Sequence, residues 1–190
     1  MKTGINDTQF ANAARGIGCE LAMIKAVDKI ESKGSGFLPT GEVKILFEPH
    51  IFWKYLRRAD ITPVRSKICY PVWKSEPYGK YSEQHGRLQL ATKINRDIAL
   101  MSASWGRFQI MGFNFKACGC KDIQEFINRN HESEVAQLDL FANYIINVNL
   151  DDELIEKDFT GFARGYNGAL HVRNNYSGKL RSAYLLFKTK

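Results

Sequence analysis

The chain is 190 residues long, 44% hydrophobic and 25% charged, with a formal net charge of +7. That composition suits a globular protein with a substantial core, and no low-complexity tract or internal repeat interrupts it. No run approaches the ~20 apolar residues of a membrane-spanning helix. The polar start from Met1 to Asp7 lacks the apolar stretch of a secretory signal, so the expected site of accumulation is the cytoplasm of the cell that makes it.

Along the chain the apolar spacing is mostly helical. A short opening helix is expected over Gln9 to Ala14. A second runs from Gly18 to Glu31, where Leu21, Ile24, Val27 and Ile30 recur at steps of three and mark one buried face. The turn Ser32-Lys33-Gly34-Ser35-Gly36 ends it. Gly36 to Leu38, the turn Pro39 to Glu42, and Val43 to Phe47 read as a small hairpin. Pro49 opens a helix that runs to about Arg58, proline being favoured in a first turn. Ala59 to Lys80 contains Pro63, Pro71 and Pro77 and forms the longest irregular stretch, a length often kept for function.

Helices are then expected over Ser82 to Leu100, Ser104 to Met111, Asp122 to Asn128 and Glu132 to Val148. A short helix from Asp151, another through Phe159 to Tyr166, and a last one over Asn174 to Lys188 complete the pattern. The last carries Leu180, Tyr184 and Phe187 toward a core. With no linker long enough to divide the chain, residues 1–190 are expected to form one mainly α domain with a small β-hairpin.

Cys19, Cys69, Cys118 and Cys120 do not form a disulfide framework in a chain of this size. Cys118-Gly119-Cys120 is too tight for a zinc knuckle and lacks a second pair. Reduced, partly buried thiols are expected. His50, His85, His131 and His171 are scattered, so neither a metal nor another cofactor is expected.

The charge is uneven. Seven basic residues against two acidic ones lie between Lys54 and Lys80, and Ala169 to Lys190 holds five basic residues and no acidic one. Such faces attract anionic cell walls or membranes. Without a nucleic-acid-binding motif, nucleic acid is not an expected partner.

Three segments are polar where the helical pattern asks for core: Glu31-Ser32, Ser104 to Gly112, and Phe162 to Gly168. Glu31 ends its helix, where the partial negative charge of the helix C-terminus disfavours a second negative charge. A carboxyl there tends to hold its proton toward neutral pH, as a general acid requires. Gln109, among Phe108, Ile110 and Met111, must either be locked to backbone or face a cleft, because an unpaired buried amide is costly. Tyr166-Asn167 closes a helix before Gly168, and each taken singly also suits a plain structural role.

Taken in order, these segments resemble the lysozyme-like superfamily, and most closely the N-acetylmuramidase family of phage endolysins. The resemblance rests on Glu31-Ser32, GFLP-G (Gly36 to Gly41), KILFE-H-F (Lys44 to Phe52), SASWG-FQIMGFN (Ser102 to Asn114) and FAR-YNG (Phe162 to Gly168). It spans about Gly18 to Tyr184. It implies a helical lobe and a small β-hairpin lobe with a glycan cleft between them, and cleavage of the β-1,4 glycan of peptidoglycan. Many such endolysins also carry a separate wall-binding domain, for which no room is expected in a chain of this length. Glu31 would protonate the glycosidic oxygen, the Gln109 segment would line the cleft, Tyr166 would touch the glutamate or the adjacent sugar, and Asn167 would brace the same wall. Ser104 would hydrogen-bond near the site or cap a helix.

Glycoside hydrolysis normally needs a second carboxylate. Glu48, between the hairpin strand and the Pro49 helix, is the first candidate, ahead of Glu42 at the hairpin turn. Its other role would be favourable interaction with a helix N-terminus. His50 could support it. Without a second carboxylate, attack by the sugar's own hydroxyl would make the protein a lytic transglycosylase. Trp53, Trp73, Tyr78, Tyr81 and Trp105 offer flat faces for pyranose rings, with Trp73 and Tyr78 the chosen cleft residues. The expected form is a monomer that waits in the host cytoplasm until a membrane lesion releases it onto the wall. A contact-delivered muramidase toxin, or a non-catalytic protein that docks its basic tail on membranes, would share the composition.

Overall fold

The computed structural model describes residues 4–32, 34–73, 78–168, 172 and 174–188. Of the residues singled out above, Met1, Lys33, Pro77, Ala169, His171 and Lys190 lie outside the described residues. The chain begins with α1 (Asp7–Ile17), capped reciprocally by Asn6 and Gln9, a pairing that satisfies orphan amide donors. It continues into α2 (Leu21–Glu31), which buries Ala22, Met23, Ile24, Ala26 and Val27. Next come β1 (Ile45–Phe47), α3 (Pro49–Arg58), α4 (Gln84–Thr92), α5 (Arg96–Met101), β2 (Ala103–Trp105) and β3 (Ile110–Met111). The C-terminal half is helical: α6 (Ile123–Glu132), α7 (Glu134–Asn147), α8 (Asp151–Glu156), α9 (Phe159–Asn167) and α10 (Tyr176–Lys188).

The three strands form an antiparallel sheet in the order β1-β2-β3, with Ile45 opposite Trp105 and Ser104 opposite Met111. One continuous core joins sheet and helices. Phe47 and Phe52, at the β1–α3 junction, are fully buried, as are Ile24 and Val27 of α2 and Leu180 of α10. The mainly helical architecture with a small antiparallel sheet is the one read from the sequence.

Three local readings are corrected. Residues 36–47 do reverse, through the Phe37–Val43 bridge and the Leu38 N–H to Glu42 C=O bond of 2.8 Å. The strand that follows, however, takes β2 as its partner, 58 positions away at Leu46 and Ser104. The expected helix from Ser82 to Leu100 is broken after Thr92, because Asn95 turns extended and caps α5 by accepting from the Ile98 N–H. The expected break between α6 and α7 falls at Ser133, whose hydroxyl accepts from Ala136 N–H. The expected helix from Ser104 to Met111 is instead the β2–β3 hairpin. Gly106 (φ 70°) and Gln109 (φ 50°) both occupy the left-handed region that reverses the chain there, a conformation incompatible with a continuous right-handed helix.

Candidate active site

Glu31 is the last residue of α2, and the Ser32 N–H still bonds back to the Asp28 carbonyl at 2.9 Å. Its half-buried carboxylate accepts a 2.5 Å hydrogen bond from the hydroxyl of Tyr176, at the start of α10. The Asn167 side chain, at the end of α9, hydrogen-bonds the same phenol. Burial, then the Glu31 charge, holds the Tyr176 proton well above its ordinary phenol range. Tyr166 lies close enough to feel the Glu31 charge, which together with burial raises its phenol well above the ordinary value. Its hydroxyl, though, donates to the Phe108 carbonyl at 2.8 Å, and its ring stacks on Phe162 at 5.3 Å. The hydroxyl on Glu31 therefore belongs to Tyr176, which the sequence reading did not single out.

The turn after Glu31 is held from several sides. Arg107, 8% exposed, donates to both oxygens of Asp28, one turn before Glu31. It also reaches Glu134 of α7 at 2.9 Å and the Gly34 carbonyl at 3.1 Å. Burial, the largest influence on this guanidinium, opposes its charge, and Asp28 and Glu134 more than restore it. Glu134 in turn accepts from the Ser35 hydroxyl (2.9 Å) and the Gly36 N–H (2.7 Å). The Lys44 ammonium binds the Ser32 and Ser35 carbonyls at 2.9 and 2.5 Å. Gly36 is required here by space: a Cβ would lie 1.9 Å from Gln137 Oε1. Each member of this buried network has a charge or hydrogen-bond partner, which is what makes such a network rigid rather than costly.

Gln109 resolves the choice left by the sequence in favour of the backbone. Its amide donates to the Gly106 carbonyl at 2.9 Å and accepts from the Ser104 hydroxyl at 3.0 Å. Ser104 thus sits on β2 and braces the hairpin; it caps no helix. Gln109 also reaches the Lys44 carbonyl at 3.4 Å, tying the hairpin to the residue that grips the Glu31 turn.

At the far end of β1, Glu48 forms a second cluster. Its carboxylate accepts from the Tyr78 hydroxyl and lies 3.3 Å from His50 Nδ1, without an aligned hydrogen bond. It makes no capping bond to α3. Trp73, 37% exposed, hydrogen-bonds Tyr78, whose phenol is raised above its ordinary value by burial and by Glu48. Fully buried Gln84 anchors the arrangement, bonding the Phe47 N–H at 3.2 Å and the Tyr78 carbonyl at 2.7 Å. The structure thus groups Glu48, Tyr78 and Trp73. Trp105 is removed from the sugar-stacking candidates: it is 3% exposed and donates to the Leu100 carbonyl.

Sequence reading missed Asp28, Glu134, Gln84 and Tyr176. Asp28 carried a usable signal, standing four residues after Ile24 on the apolar stripe of α2. Tyr176 and Glu134 carried none, because their partners are 145 and 27 or more positions away. The four cysteines are free, with Cys69, Cys118 and Cys120 buried. Among the described residues no cluster of His, Cys, Asp and Glu has the makings of a metal site.

The family model for N-acetylmuramidases matches residues 20–188. Among solved structures, the crystal structure of the Burkholderia AP3 phage endolysin superposes with a TM-score of 0.90. It is 33% identical, and the match covers 97% of this chain and 71% of that one. No curated protein matches.

Proposed function

The chain belongs to the N-acetylmuramidase family of glycoside hydrolases, and from that premise we propose that it is an endolysin cutting the β-1,4 bond between N-acetylmuramic acid and N-acetylglucosamine in peptidoglycan. Glu31 is the proton donor to the departing glycosidic oxygen. The observation that carries this reading is the carboxyl at the end of α2, hydrogen-bonded by Tyr176 and set on a turn fixed by Arg107, Glu134 and Lys44. A general acid needs this kind of fixed geometry before it can transfer a proton in the transition state.

Glu48 serves as the second carboxylate, and Tyr78 with His50 orients it. A carboxylate so placed activates water or stabilises the developing positive charge on the sugar, which favours hydrolysis over attack by the sugar's own hydroxyl. Ser104 and Gln109 hold the hairpin that floors the sugar site, Tyr166 and Asn167 close its wall, and Trp73 and Tyr78 line its outer part. The net charge of +7 draws the protein to an anionic wall.

Mass analysis of the fragments released from purified peptidoglycan tests the reading. Reducing muramic acid ends are expected. Anhydro ends would reassign the protein as a transglycosylase, and glucosamine at the new reducing end would overturn the bond assignment.

A further inference from the structure

A groove of about 760 Å³ runs between α2 and α10, lined by Lys29, Ile30, Asn175, Lys179, Ser182 and Leu186 among others. The two helices pack antiparallel, with Glu31 meeting Tyr176 at one end and Glu20 meeting Tyr184 at the other. Ile30 and Asn175 are the chain neighbours of Glu31 and Tyr176, so one end of the groove lies one residue along each helix from that pair. Ile30 and Ala183 give it an apolar floor, while Leu186, Lys29 and Lys179 stand exposed at its edges.

No acidic side chain lines the groove. Neither rim lysine forms an ion pair among the described residues, and the Lys29 ammonium lies 5.9 Å from the Phe187 ring centroid. Gly178, inside α10, adds to the room: a Cβ there would come 2.5 Å from Asn175 Oδ1, so any larger residue would crowd the groove mouth. Glycine is otherwise a poor helix former.

We propose that this groove binds the peptide stem attached to the muramic acid at the cleaved bond, holding the stem's carboxylates between Lys29 and Lys179. The proposal rests on Glu31 as the centre of cleavage. The polysaccharide strand is neutral, and its anionic, partly apolar branch is the stem, which matches an apolar floor with cationic rims. A bilayer surface is a poorer fit. Membrane docking calls for several apolar side chains that project outward beyond the cations, whereas Ile30 is half-buried, Ala183 is buried, and of the groove's apolar side chains only Leu186 is exposed.

Two proteins test this: the double charge reversal Lys29→Glu/Lys179→Glu, and Ser182→Trp, which fills the trough from an exposed position. Each is assayed on peptidoglycan with intact stems and on the same material stripped of stems by an amidase. The ratio of kcat/KM between the two substrates should fall about tenfold in both variants, through KM on the stem-bearing material. An unchanged ratio, or an equal loss on both substrates, overturns the proposal. So does loss of association with anionic phospholipid vesicles while the ratio stays fixed, which would make this face a membrane surface. Calorimetry of a free stem peptide with Glu31→Gln protein reads the groove independently of catalysis. If the wild-type protein cleaves neither substrate, the glycosidase reading fails, while peptide binding abolished by the charge reversal still supports the groove, and undiminished binding overturns it.

Discussion

Glu31 shares its carboxylate with a phenol that arrives from the last helix, and this contact gives Tyr176 a positioning role. Removing the hydroxyl by Tyr176→Phe leaves the ring in its buried place while taking away one of the groups that orient the carboxyl. A hydrogen bond of this kind contributes about 0.5–1.5 kcal/mol, and part of it holds the orientation needed for proton transfer. The variant is expected to lose up to about tenfold in kcat with KM little changed, measured as initial rates on soluble glycan fragments. A change confined to KM would remove Tyr176 from the catalytic geometry. The sequence pointed to Glu31 and showed little of what holds it in place. A carboxylate at a helix end followed by glycines is a local pattern, whereas the Tyr176 contact exists only after α10 packs on α2.

Among the elements, the helices with continuous apolar stripes were legible: α3 has the bounds expected, and α2, α7 and α9 differ by a few residues at their ends. Failures came where tertiary pairing overrode local preference. The β2–β3 hairpin looked helical because Trp105, Phe108 and Met111 fall at steps of three, yet Gly106 and Gln109 reverse the backbone. Gln109 was recognised as an amide that needed partners, and the hairpin supplies them.

The link between this hairpin and α2 is Arg107, so its loss should be felt as stability. Arg107→Met strands Asp28 and Glu134 as buried charges without their cation, a change that costs about 3–5 kcal/mol. Urea denaturation should show the midpoint falling by a corresponding amount with unchanged slope. A loss below about 1 kcal/mol would mean that the network does not hold the Glu31 turn.

For the whole molecule, one core extends from the sheet into both helical ends, and the cysteines are packed into it as apolar residues. Burial pushes the thiols of Cys19 and Cys69 up to about 11 and that of Cys118 to about 12. Below pH 9.0, the ordinary thiol value, both folded and unfolded chains keep these protons, so the thiols leave stability independent of pH there. Above it the unfolded chain releases them first, and stability falls as pH rises toward the folded values. Melting temperature should therefore decline between about pH 9 and pH 12, and a Cys118→Ala protein should show a shallower decline over that window. A flat profile would contradict the burial of these thiols.

Across all three scales the packing converges on the carboxyl at the end of α2, and the most direct measurement is kcat of Glu31→Gln on purified peptidoglycan beside its melting temperature and wall binding. With Glu31 as proton donor, kcat falls at least a hundredfold while melting temperature and wall binding stay at wild-type values. Turnover within a few-fold of wild type would place the acid elsewhere and contradict the assignment.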